Sequence, residues 1–198
     1  MSIKLEKYNP EKHDKHVIAN LIYISDEEMN SLVYGEQERG IKVITKLMSM
    51  DNNYFSSPYL KCAIYEDEIV GAIVVFQVNK KSKLDTDSGK AFFKAMGFLA
   101  FLKKMPLFFK MAKITSGEMD ENGYYIHTIS VSPSYQGRGF GTRMIEMVAE
   151  KQNKLYLHVN VLNQRAQKFY TKIGFQPRSK DTMMYKGKEI GTYLMEKE

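Results

Sequence analysis

Within some two dozen residues the chain changes its hydrophobic period, and seven residues manage the change. Tyr125-Ile126-His127-Thr128-Ile129-Ser130-Val131 is rich in β-branched and aromatic side chains, and Ser132-Pro133-Ser134 ends it. Downstream, Phe140, Met144, Ile145 and Val148 recur at helical spacing. Between them lies Gln136-Gly137-Arg138-Gly139-Phe140-Gly141-Thr142, with three glycines. A glycine-rich strand-to-helix turn lets backbone N–H groups approach a ligand, and the helix adds the positive end of its dipole. The run reads as a cradle for an anion such as pyrophosphate.

The spacing narrows the choice of anion. Gly137, Gly139 and Gly141 alternate, so the dinucleotide pattern GxGxxG fails at Thr142, and no Gly-Lys-Ser/Thr follows to make a P-loop. The pattern Gln/Arg-x-x-Gly-x-Gly/Ala does fit, as Gln136, Gly139 and Gly141. About two dozen residues on comes Asn163-Gln-Arg-Ala166-Gln-Lys-Phe169-Tyr170-Thr-Lys-Ile-Gly174-Phe175. In series, the two motifs resemble the acetyl-coenzyme A signature of the GNAT superfamily of N-acetyltransferases, over roughly residues 124 to 176.

The resemblance implies a GNAT-like α/β (α+β) fold, with a central mixed, mostly antiparallel sheet flanked by helices. It implies acetyl-coenzyme A as cosubstrate and direct transfer of its acetyl group to a primary amine in a ternary complex. Ile129 and Val131 would line the pantetheine arm. Gln136, Gly137, Arg138, Gly139, Phe140, Gly141 and Thr142 would hold the pyrophosphate, with Arg138 or Arg143 adding charge. Asn163, Ala166, Phe169 and Tyr170 would complete the cofactor site. Tyr170 is the candidate acid for the leaving thiolate, and a buried core position is its competing reading. Strict alternation puts His127 on the face shared by Tyr125, Ile129 and Val131, which makes it a candidate base; a hydrogen-bonded strand histidine is the alternative. A non-catalytic acyl-coenzyme A sensor would keep the glycine loop and need neither Tyr170 nor His127.

The rest of the chain bounds this reading. Its 198 residues, 43% hydrophobic and 26% charged, suit a single domain spanning 1–198. The lone Cys62 reads as a buried strand position, and with no evident signal segment the expected setting is the reducing cytoplasm. No Cys/His cluster has metal-ligand spacing, so no metal is expected. A net charge of +6 is compatible with a polyanionic ligand, and the lysines read as spread along the chain, which argues against nucleic acid.

Periodicity predicts a first strand over 3–8, helices around Val17, Ile18 and Leu21 and over 36–50, and a hairpin of 60–65 with 69–78. A further strand is predicted over 155–161 and a last pair of strands from Phe175 onward, with 182–185 and 191–195, and a helix from Asn163 to Ile173 closed by Gly174. His13 and His16 fall on the solvated face of the first helix. The 79–123 insertion is expected to be helical and to be a lid over the acceptor pocket, a packed helix pair, or a membrane-surface or dimer contact. Lys94, Lys103, Lys104 and Pro106 interrupt its apolar centre and argue against a membrane span. The acceptor, a small-molecule amine or a protein amino group, stays open, as does a homodimer.

Overall fold

A computed structural model describes residues 3–150, 152 and 154–198. In chain order the elements are β1 (Lys4–Lys7), α1 (Lys15–Ile24), α2 (Glu27–Tyr34), α3 (Gln37–Met48), β2 (Leu60–Tyr65) and β3 (Glu68–Gln77). Then come α4 (Lys81–Met96), α5 (Phe98–Ile114), β4 (Tyr124–Val131), α6 (Phe140–Ala149), β5 (Leu155–Asn160), α7 (Gln164–Lys172), β6 (Gln176–Tyr185) and β7 (Lys188–Lys197). The strands form one seven-stranded sheet in the order β1-β2-β3-β4-β5-β7-β6. Among the described residues only β4 and β5 pair in parallel. This is the mixed, mostly antiparallel sheet that the motifs imply, and the insertion is the helical pair α4 and α5 between β3 and β4.

Each face of the sheet carries its own core. On one, α1 to α5 bury Ile18, Ile44, Leu47, Phe55 and Leu107 against Leu60, Val74 and Phe76. On the other, α6 lays Phe140, Met144, Ile145 and Val148 on Val70, Ile73, Ile126 and Leu157. Burying four such side chains contributes on the order of 6–12 kcal/mol, so packing rather than capping holds α6 in place. Gly141 permits the close approach of α7: a Cβ there would lie 3.3 Å from Phe169 Cζ and 3.7 Å from Val131 Cγ2.

Two expectations change. A helix not anticipated, α2, begins at Asp26, whose carboxylate accepts from Met29 N–H at 3.2 Å. His13 precedes α1 and is buried, its Nδ1 accepting from Asn9 N–H at 3.0 Å, because the chain needs a partner for that amide where it turns into the helix. The last pair of strands, expected from residue 175 onward, runs over Gln176–Tyr185 and Lys188–Lys197. β6 is an edge strand exposed at most of its positions, so it has no buried face to impose alternation.

The largest correction lies in β4. Its register with β3 runs Ile73 to Ile129 and Val74 to Thr128, then skips to Val75 with Ile126. His127 is the extra residue of a β-bulge, and a bulge breaks strict alternation. Tyr125 belongs to the core under α1 to α5, whereas Ile129 and Val131 pack on the α6 side. His127 is therefore on the opposite face from Val131, among Tyr54, Phe55, Phe76 and Tyr125.

Candidate active site

The helix N-termini are not alike. Asp14 caps α1 through His16 and Val17 N–H, and Asp26 caps α2. Asn163 caps α7 by accepting from Ala166 N–H at 3.0 Å. α6, like α3, α4 and α5, has no side-chain cap; it starts from Gly139, which is left-handed with φ +81°. A side chain at Gly139 would meet nothing within 4 Å, so the demand for glycine is conformational. Among the described residues, no N–H from Gly137 to Thr142 has an acceptor. That is the first turn of a helix left with its donors unspent.

These donors open on a groove of about 1070 Å³. Its walls include Ile129 and Val131 of β4; Gln136, Gly137, Gly139, Phe140, Gly141 and Thr142 of the turn; and Asn163, Ala166, Phe169 and Tyr170 of α7. Tertiary structure thus brings together twelve of the fifteen candidates. Arg138, Arg143 and His127 are the three outside the lining. The Arg138 guanidinium lies over the Tyr135 ring, 5.1 Å from its centre, at the groove's edge. Arg143 is turned along α6 toward Glu146 and Glu150, at 3.4 and 3.2 Å.

The groove exists because two strands part. β4 and β5 pair at only three positions, Tyr124 with Leu155, Tyr125 with Tyr156 and Ile126 with Leu157. Beyond them β4 stays with β3 as far as Val131, and β5 stays with β7 as far as Asn160. The parallel partners thus separate just where the bulge occurs. Gln136 braces the opening: its Nε2 donates to Val131 O at 3.1 Å and its Oε1 accepts from Arg165 at 2.9 Å. Arg165, Lys172 and Lys197 add cations to the lining. Arg165 sits inside the second motif, yet no rule of spacing marked it.

Tyr170 stands between Phe169 and Phe175, with ring centres 5.2 and 5.6 Å away. Burial, and then the nearby Asp26 carboxylate, push its phenol above the ordinary range, so it carries its proton at neutral pH. Asp26 is outside the lining and was not singled out from the sequence; it follows Ile24 and Ser25, which line the groove. Burial holds its carboxyl above the usual range, and the Asn160 amide approaches it at 3.5 Å from the far side of the splay. An aspartate between two helices looks like any N-cap in sequence; only the fold puts it near Tyr170.

His127 stacks on Tyr54 with centres 4.1 Å apart, and its Nδ1 is 2.9 Å from Thr128 Oγ1. Burial, followed by the Lys81 charge, pushes it down to about 4. His158 is likewise pushed down to about 4 by burial. Its Nε2 lies 3.2 Å from Ser116 O and must donate there, so Nδ1 accepts from Tyr125 O–H at 2.9 Å. Cys62 is buried, and burial pushes its thiol up to about 12, which leaves it an inert core atom. Among the described residues no group of three or more His, Cys, Asp or Glu is placed to hold a metal ion, and no helix is long and apolar enough to cross a membrane.

Comparisons with known proteins agree with this geometry. The N-alpha-acetyltransferase RimI of Mycobacterium tuberculosis is 32% identical over 77 residues, 38% of this chain and 49% of that protein, so the match spans about half of the relative. An N-acetyltransferase from Staphylococcus aureus Mu50 superposes with a TM-score of 0.69 at 20% identity, covering 97% of this chain and 99% of that one. A GNAT family acetyltransferase from Elizabethkingia anophelis, with acetyl-CoA bound, gives 0.51 at 15% identity over 99% and 97%. The acetyltransferase (GNAT) family model matches residues 24–175. That match covers more than half of the chain, and the chain belongs to the GNAT family of acetyltransferases.

Proposed function

We propose that the protein transfers the acetyl group of acetyl-coenzyme A to a primary amine by direct attack in a ternary complex. The observation that carries this is the uncapped N-terminus of α6, whose free N–H groups open on the same groove as Tyr170. In this reading the pyrophosphate takes the donors of Gly137 to Thr142, with Arg165 nearby as a charge. The pantetheine arm runs between Ile129 and Val131 on one side and Ala166 and Phe169 on the other. The amine enters past Ser25 and Asp26, whose carboxylate holds and orients it. Its lone pair forms the C–N bond as the C–S bond breaks, and the Tyr170 hydroxyl protonates the departing thiolate.

His127 is better suited to shaping the sheet than to accepting a proton. A ring held neutral down to about 4 and stacked on Tyr54 is a weak base on the face away from Val131. The proton lost by the amine passes to water or to Asp26, and water returns a proton to the Tyr170 phenolate, which restores the acid for the next turnover. RimI, named as an N-alpha-acetyltransferase, puts a peptide's N-terminal amine first among the acceptors to try.

The test is thiol release from acetyl-coenzyme A with a panel of amines that includes peptides with free N-termini, alongside calorimetry with coenzyme A. Turnover with at least one amine is expected. Binding of coenzyme A without turnover on any amine would reject the enzyme reading in favour of a sensor.

A further inference from the structure

The insertion carries a surface that acetyl transfer does not use. α5 is apolar on both sides: Leu107 and Ile114 are buried and Phe108 and Met111 pack on the core, while Phe98, Leu99 and Phe109 are 59%, 72% and 67% exposed, with Leu102 beside them. At 100° per residue, Phe98, Leu102 and Phe109 fall within about 40° of one another, so they form a ridge along the outer face. Phe93 of α4 meets Phe98 edge-on at 6.1 Å and widens it. The charge around this ridge is one-sided. Residues 88–117 contain six lysines and no aspartate or glutamate, so this stretch holds the whole net charge of +6 and the rest of the chain balances. The lysines are thus not spread evenly, as they first read. Lys104 turns inward to Leu32 O, Lys110 donates to Met184 O and Lys90 pairs with Asp87, while Lys94, Lys103 and Lys113 are exposed.

We propose that the outer face of α5, with the end of α4, docks on an anionic phospholipid bilayer, the apolar ridge entering the headgroup boundary and the lysines reaching the phosphates. Apolar crest with flanking ammonium groups is the arrangement of a helix lying in the membrane plane. A symmetric second copy on this face would set lysines against lysines. Nucleic acid would find lysines but no arginine along residues 88–117, and a single-stranded oligonucleotide tests whether the exposed phenylalanines stack on bases.

The experiment is co-sedimentation of the full chain with phosphatidylcholine vesicles, with and without phosphatidylglycerol, at two salt concentrations. Binding to the anionic vesicles, weakened by salt and slight on the neutral ones, is expected. Replacing Phe98, Leu99 and Phe109 by Ser should abolish it with thermal stability unchanged, because these side chains are exposed. Lys94→Gln, Lys103→Gln and Lys113→Gln together should weaken it on the order of 10²-fold. Equal binding to neutral and anionic vesicles, or none to either, overturns the proposal. So does a dimer in solution that the serine variant dissolves, or tighter binding to a single-stranded oligonucleotide than to the vesicles.

Discussion

Tyr170→Phe removes one oxygen and little else, which makes its consequences calculable. The ring keeps its neighbours Phe169 and Phe175, and the hydroxyl has no hydrogen-bond partner among the described residues. Stability should change by less than about 0.5 kcal/mol, a Tm shift under about 2 °C for a chain of this size. A general acid is worth roughly 10²–10⁴ in rate, about 2.7–5.4 kcal/mol. A thiol of pKa near 8.5 makes a fair leaving group unaided, so the loss should lie at the lower end, about 10² in kcat at pH 7, with KM for acetyl-coenzyme A unchanged. The loss should also shrink as pH rises past that thiol pKa, because a thiolate then departs without a donor. Steady-state thiol release from pH 6.5 to 9.5, with melting curves on the same samples, reads both effects. A kcat within about threefold of wild type, or a deficit equally large at every pH, would refute the acid role. A melting temperature lower by more than about 5 °C would show that the phenol is a packing group.

Asp26→Asn keeps an N-cap oxygen for Met29 N–H, so the fold should hold within about 0.5 kcal/mol while KM for the amine rises at least tenfold and coenzyme A affinity, read by calorimetry, stays put. His127 and His158 bind a proton more readily unfolded, near 6.5, than folded, near 4, so their burial costs nothing above about pH 6.5. Stability should fall as pH drops from about 6.5 toward 4, by up to about 1.4 kcal/mol per pH unit per histidine, and His158→Gln should flatten the slope in urea titrations. Gly89 lies inside α4, and a Cβ there would meet nothing within 4 Å, so Gly89→Ala should stabilise the protein by about 0.5–1 kcal/mol in the same titrations.

Local chemistry was legible from the residues alone wherever one segment sufficed. The glycines at 137, 139 and 141, the apolar stripe of α6 and the cap at Asn163 are short-range features, and each has the conformation its residues demand. The charge asymmetry of residues 88–117 is present in the sequence but was read there as an even spread of lysines, and its meaning depends on which side of α5 faces out. Sequence by itself determined the donor side of this protein: an anion cradle at a strand-to-helix turn with a tyrosine-bearing helix to follow. Tertiary structure decided the acceptor side. The bulge at His127 depends on how β4 registers against β3, and it moves that histidine to the opposite face from Val131. The place of Asp26 near Tyr170 depends on two elements far apart in the chain meeting where β4 and β5 part. Periodicity reports which way a side chain points within its own element; register and splay between elements are set by packing across the whole sheet, and these decide which residues share a site.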